Sequence, residues 1–160
     1  CGLDYHYDHS TLPHQADAFR AQIAIARDVG LPVVVHTREA ADDTLRILRD
    51  DAAGHPVILH CFSLPHHVDA GAAEGWYASF AGPLTFNRSD DLRAAAAALP
   101  AERLLVETDA PYLAPVPRRG RPNRPALVAH TLAALATARG ITVDEADALT
   151  TANSAAVFGW

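Results

Sequence analysis

Methionine and lysine are both absent from this 160-residue chain, so all 13 of its cations are Arg. Without a Met, residue 1 is not a translation start. Cys1-Gly2-Leu3-Asp4 reads as the end of a strand entering a loop, and the chain is expected to be the C-terminal portion of a longer one. Cysteine is scarce. The two present, Cys1 and Cys61, cannot make a disulfide framework and point to free, inert thiols in a reducing compartment, hence a cytoplasmic location. No long hydrophobic run occurs: residues 31–35 and 94–99 fall far short of the ~18–20 residues of a membrane span. Nor does a charged start lead into an apolar stretch in the manner of a signal peptide. A net charge of −6 excludes general basicity as a route to nucleic acid. What is there, 49% hydrophobic and 20% charged residues, is the composition of a globular chain with material for one core.

Helix and strand signals alternate. Apolar Phe19, Ile23, Ala26 and Val29 recur at helical spacing over 13–29, and Gly30 ends that helix. Residues 31–36, continuous and β-branched, read as a strand buried on both faces. A helix over 38–50 follows, broken by Gly54-His55-Pro56. The run 57–62 is a second buried strand, 65–74 a short helix stopped by Gly75, and 76–80 a third, weaker strand. Residues 90–99 form an Ala-rich helix and 104–107 a fourth strand. Five prolines and four arginines fall in 111–125, which makes that segment a long loop. An amphipathic helix over 126–139 ends at Gly140, and 143–158 reads as one or two closing helices with Asp144 as cap. This alternation is α/β. No G-x-G-x-x-G turn follows a strand, which argues against a dinucleotide-binding sheet. A (β/α)8 barrel takes roughly 250 residues, so this chain would supply about five of its eight units. The expected fold is a partial (β/α)8 TIM-type barrel with its N-terminal strands missing, residues 1–160 forming the C-terminal part of a single domain.

Two histidines stand apart. His36 and His60 each terminate a buried strand, one βα unit apart, on the rim where parallel α/β folds build their sites. Neighbouring strands lie ~4.8 Å apart, so both imidazoles could reach one ion. His6, His9, His14, His55, His66, His67 and His130 fall in loops or helices, where histidines are usually solvated. Asp109 follows 104–106 on the same rim, and Glu107 faces the same way if the strand continues. A competing reading has Asp109 merely opening the turn with Ala110-Pro111, but it leaves Glu107 beneath it unexplained. A buried carboxylate pair is costly without a cation. His36, His60 and Asp109 therefore read as ligands of a catalytic metal with open positions, and Asp109 and Glu107 as the catalytic carboxylates. Such a metal polarises an ester or phosphoryl oxygen and acidifies a water, whose proton Asp109 could accept. Arg38, just past His36, and Arg118, Arg119 and Arg121 in the long loop suit substrate phosphate, unless that loop is only a solvated surface.

Certain blocks, taken together, carry a resemblance. They are Gly2-Leu3-Asp4-Tyr5, then Leu31-Pro32-Val33-Val34-Val35-His36-Thr37-Arg38-Glu39-Ala40, then Leu59-His60-Cys61-Phe62-Ser63. Leu104-Leu105-Val106-Glu107-Thr108-Asp109-Ala110-Pro111-Tyr112-Leu113 follows, with Asn123, Pro125, Ala152-Asn153 and Phe158-Gly159. In register from 1 to 160, the chain resembles the TatD family of metal-dependent deoxyribonucleases, within the amidohydrolase-like barrel superfamily. The resemblance implies a distorted barrel holding divalent metal, Mg2+ foremost with Mn2+ or Zn2+ as alternatives, on His36, His60 and Asp109. It implies exonucleolytic hydrolysis of DNA phosphodiesters, single-stranded or at duplex ends, by a metal-activated water. The family also uses an H-x-H pair and a Glu directly ahead of the Cys-Gly-Leu-Asp segment. Neither is in this sequence, so the chain by itself is expected to be weakly active or inactive. Arg124 stands where the family has Glu. Two other readings stay open: a barrel amidohydrolase cleaving a small-molecule amide or ester, and an inactive partial barrel whose open strand edges associate. No membrane and no obligate protein partner is expected.

Overall fold

The computed structural model describes residues 1–7 and 10–160; His9 lies outside the described residues. Strands and helices alternate as β1 (Gly2–Asp4), α1 (Leu12–Val29), β2 (Val33–Arg38), α2 (Ala41–Asp51), β3 (Val57–Leu59), α3 (Val68–Ala73), β4 (Tyr77–Phe80), α4 (Asp90–Ala98), β5 (Leu104–Val106), α5 (Val128–Arg139) and α6 (Val143–Phe158), with short 3-10 turns between them. All pairings are parallel, and the sheet order is β1-β2-β3-β4-β5. The order never reverses. An open doubly wound sheet needs a point where it does, so this is a singly wound arrangement in which α1 to α4 each cross to the next strand.

Side-chain alternation gives the sheet two different faces. One carries Leu3, Val33, Val35, Leu59, Phe80 and Leu104 and packs under Phe19 and Ile23 of α1 and Ile47 and Leu48 of α2. On the other, Ile58, Tyr77 and Leu105 meet Val157 of α6 in a smaller cluster. In β2, Val33, Val35 and Thr37 are buried while Val34, His36 and Arg38 are exposed. A register slip of one residue would exchange these sets, so the apolar face also fixes where the polar residues point.

Local chemistry sets the element ends. Pro32 has no N–H to give a ladder, and β2 starts at Val33, whose N–H goes to the Pro56 carbonyl at 3.0 Å. Arg38, expected to open a helix, closes β2 instead: its carbonyl accepts from Tyr5 N at 2.9 Å. Gly30 takes the left-handed C-cap of α1 at φ 68°. Gly2 sits at φ +128°, where an added Cβ would overlap the His36 carbonyl oxygen, so only glycine lets β1 lie this close to β2. At α6 the cap is Thr142 rather than Asp144. Thr142 Oγ1 accepts from Glu145 N at 3.2 Å, and Glu145 Oε2 accepts from Thr142 N at 2.8 Å, a complete capping box. Thr142→Ala is expected to lower stability by about 1 kcal/mol, read as a shifted midpoint in urea at unchanged slope. From α6 the buried Asn153 donates from Nδ2 to Leu104 O of β5 at 2.9 Å and to Ala101 O at 2.8 Å. Among the described residues, no single helix is long and apolar enough to cross a membrane.

Candidate metal centre

The C-terminal ends of β1, β2, β3 and β5 open into one cleft of about 1240 Å³, lined among others by Asp4, His36, Arg38, His60, Asp109 and Tyr112. Val35 pairs with Leu59, which makes His36 and His60 neighbours on adjacent strands. Their rings lie 6.1 Å apart, tilted by 39°. His60 is the first residue beyond β3 and Glu107 the first beyond β5. His60 Nδ1 is 2.6 Å from Glu107 Oε1, and His60 Nε2 is 3.5 Å from Asp109 Oδ1. One imidazole therefore sits between two carboxylates, one at each nitrogen. One ligand atom from each of His60, Glu107 and Asp109 lies within 4.8 Å of the other two.

His36 stands beside this triad. Its Nε2 is 3.1 Å from Asp4 Oδ2. Asp4 is itself fixed: its Oδ1 accepts from His6 N at 2.9 Å and Tyr7 N at 3.3 Å, and its backbone exchanges hydrogen bonds of 2.9 and 3.0 Å with the Gln15 amide. A carboxylate behind a histidine in this way sets ring orientation and tautomer.

Glu107 Oε1 is buried, and despite its short approach to His60 it has no aligned hydrogen-bond donor. A buried carboxylate oxygen without a donor is rare in a stable fold. Beside an imidazole nitrogen and a second carboxylate, it is the donor set of a divalent cation. The residues therefore fit a metal.

The electrostatics agree. The Glu107 carboxylate raises the His60 pKa against burial, with the charges of Glu107 and Asp109 adding to the rise. Burial raises that of Asp109, helped by Glu107 and opposed by His60 and His36. For Asp4, burial acts upward but is outweighed by His36 and by the backbone donors of His6 and Tyr7, and the net shift is downward. Partial burial, with the charges of Glu107 and Asp109 adding to it, pushes the half-buried Cys61 thiol up to about 12, which makes it unreactive. A carboxylic acid raised by burial and by a neighbouring carboxylate marks a place short of positive charge.

The backbone is strained at the same rim. Glu39, Cys61 and Asp109 have φ of 54°, 44° and 56°, each costing on the order of 1–2 kcal/mol in the left-handed region. All three lie at the strand ends that build the cleft, where such strain tends to collect.

Of the residues singled out from the sequence, His36, His60, Glu107, Asp109 and Arg38 are brought together. The Arg38 guanidinium lies 4.9 Å over the Tyr7 ring. Arg118, Arg119 and Arg121 are exposed and do not line the cleft, and Arg119 lies over the Phe86 ring at 3.7 Å. His66 and His67, expected to be solvated, line the mouth. The sequence pattern does not single out Asp4, although a carboxylate closing a strand end beside His36 is the same signal that marks Asp109.

Fold and site together define a class: parallel-stranded α/β proteins with imidazoles and carboxylates gathered at C-terminal strand ends for a metal. The chain belongs to the TatD family, since the family described as TatD related DNase matches residues 1–159. An uncharacterized metal-dependent hydrolase, YcfH, of Escherichia coli K12 is 44% identical over 162 residues, covering 98% of this chain and 60% of that protein. The 3'-5' ssDNA/RNA exonuclease TatD of Klebsiella pneumoniae is 38% identical over 172 residues, covering 99% of this chain and 63% of that protein. The crystal structure of the TatD homolog YJJV from Escherichia coli K12 superposes with a TM-score of 0.90 at 28% identity, over 99% of this chain and 62% of that one. The chain thus spans about three fifths of the length of its curated relatives.

Proposed function

We propose that the protein is a metal-dependent hydrolase of nucleic-acid phosphodiester bonds, an exonuclease of the TatD type acting on DNA ends or single strands. The observation that carries this reading is the orphaned Glu107 Oε1 beside His60 and Asp109. Family membership supports the hydrolase class, and the name of the Klebsiella relative supports the substrate. In this reading the five parallel strands form an arc of a (β/α)8 barrel, with 1–160 as its C-terminal part, and a cytoplasmic location rests on the two free thiols.

His36, His60 and Asp109 would hold the cation, with Glu107 completing the set. Two imidazoles and two carboxylates admit Mg2+, the ion that the resemblance implies, with Mn2+ or Zn2+ as alternatives. A divalent cation supplies Lewis acidity towards the phosphoryl oxygen and the attacking water. Asp109 orients that water and takes its proton. Asp4, 3.1 Å from His36 Nε2, fixes the orientation of that ring. Arg38 faces the cleft and would meet a phosphate oxygen. The test is hydrolysis of an end-labelled single-stranded oligonucleotide with added Mg2+ or Mn2+ by the full-length protein, the 1–160 chain by itself being expected to be weakly active or inactive. Stepwise release of nucleotides, abolished by EDTA, is the expected result. Turnover of amides or lactones with no action on oligonucleotides would replace this reading with the amidohydrolase one.

Arg118, Arg119 and Arg121 lie outside the cleft and would act on substrate affinity alone. Arg118→Ala with Arg119→Ala is expected to raise KM at little-changed kcat. It should also flatten the salt dependence of single-strand binding, by roughly 0.7 in the log–log slope for each phosphate no longer neutralised. If neither quantity moves, the loop is solvated surface.

A further inference from the structure

The Asp109 carboxylate depends on a turn that begins where β5 stops. Beyond Glu107, whose N still donates to Phe80 O at 2.9 Å, residues 108–113 leave the sheet with Asp109 at φ 56° and Leu113 at φ 52°, so sheet pairing does not hold them. Within the turn, Tyr112 N donates to Asp109 O at 2.9 Å and Ala110 N to Thr108 Oγ1 at 3.3 Å. The rest of the support comes from far along the chain. Asn123 is buried, 4% exposed, and its Nδ2 donates to Thr108 O at 2.6 Å and to Tyr112 O at 2.7 Å. Its backbone N donates to Pro111 O at 2.9 Å, and its Oδ1 accepts from Arg124 N at 2.9 Å. One side chain therefore grips carbonyls on both sides of Asp109 and has every polar group satisfied. An Asp of the same shape has no N–H to donate, and an Ala leaves two carbonyls without partners.

We propose that Asn123 is a positioning residue for the metal centre, clamping the Thr108–Tyr112 turn so that the Asp109 carboxylate faces His60. The proposal rests on the reading of Asp109 as a metal ligand. Asn123 is among the residues that carry the resemblance, but no role follows from that, because it is separated from Asp109 by a long loop and does not line the cleft. A residue that acts through another has a defined signature: its effect vanishes when the other is removed.

The experiment is a double-mutant cycle on Mn2+ affinity, with free Mn2+ counted by electron paramagnetic resonance. Asn123→Ala is expected to weaken Mn2+ binding by roughly 10–100-fold, as for other residues that orient metal ligands. In an Asp109→Asn background the same substitution should change the affinity by less than about two-fold, the tolerance for independent sites. Equal effects in both backgrounds would show a general structural role and overturn the proposal, as would an unchanged affinity in the single variant. Should Asn123→Ala not fold, the cycle is run with Asn123→Ser, whose hydroxyl retains one donor and which should lie between Ala and wild type. No Mn2+ binding by the unaltered protein would overturn the proposal together with the metal centre. Normal binding and coupling without oligonucleotide cleavage would leave Asn123 in place and remove only the nuclease reading.

Discussion

Replacing Asp109 by Asn is expected to lower metal-dependent turnover by roughly 10²–10⁴-fold, the range for a group that moves a proton in the transition state, and to weaken metal binding as well. The same substitution should leave the metal-free fold at least as stable as before. Asp109 shares its space with Glu107 around one imidazole, and its φ of 56° is one that Asn tolerates well. Without a cation, removing one of two adjacent carboxylate charges relieves burial cost and repulsion that outweigh the lost contact with His60. A residue that costs stability and is needed for activity is the common trade at a functional site. The check is kcat on an oligonucleotide beside a thermal melt in EDTA. A melt lowered in step with the activity would mean that Asp109 holds the turn rather than the chemistry.

The helices and the parallel sheet are legible in the sequence because each apolar run has one period and one stop signal. Gly30 and Gly140 end α1 and α5 in left-handed caps, where the sequence places them. The ends of β2 are not legible. Leu31 and Pro32 continue the apolar run in composition, but a ladder needs N–H donors, so the strand runs from Val33 to Arg38 and carries His36 inside it. β3 is three residues long because Cys61 turns left-handed at φ 44°, a backbone state that composition does not announce. Asp144 has the look of the α6 cap because it is an acid near a helix start. Thr142 has the N3 Glu145 that completes the box, and that spacing is the better signal.

The site is legible where it rests on strand ends. His36, His60, Glu107 and Asp109 each follow a buried apolar run, and the parallel order brings those ends together. Their detailed arrangement is not. Two carboxylates two residues apart would share one side of a continuing strand, but β5 stops at Val106. The turn instead carries Asp109 round to the Nε2 side of His60 while Glu107 meets Nδ1. Asp4 can be assigned only from the pairing of Asp4 with Arg38 across β1 and β2, which sets it beside His36. Closeness to Asp109 in sequence does not carry Arg118, Arg119 or Arg121 into the cleft, so the phosphate contacts proposed for them lie outside it.

Gly82→Ala is expected to be a strongly damaging single-methyl addition behind the Asp109 turn. Gly82 is buried in the 3-10 turn after β4, and an added Cβ would overlap Leu113 O, with Leu113 C at 3.1 Å and Pro115 N at 3.2 Å. All three atoms are backbone, so no side chain can rotate away. Thr85 Oγ1, which donates to Gly82 O at 2.7 Å and accepts from Val116 N at 2.9 Å, ties the same two segments together. The loop must move as a unit, and with it the Tyr112 carbonyl that Asn123 grips. Overpacking of this kind costs about 1–3 kcal/mol, and the displacement reaches Asp109, so stability in urea and Mn2+ affinity should fall together. Gly71→Ala is the matched control. Gly71 lies within α3, its Cβ would meet only Leu59 Cδ1 at 3.9 Å, and the gain in helix propensity is up to about 1 kcal/mol. The same chemical change should therefore destabilise at Gly82 and be neutral or stabilising at Gly71, with metal affinity unchanged in the second case. Equal, small effects at both positions would mean that the β5 loop is not seated on the β4 turn, and that the Asp109 turn is held by Asn123 alone.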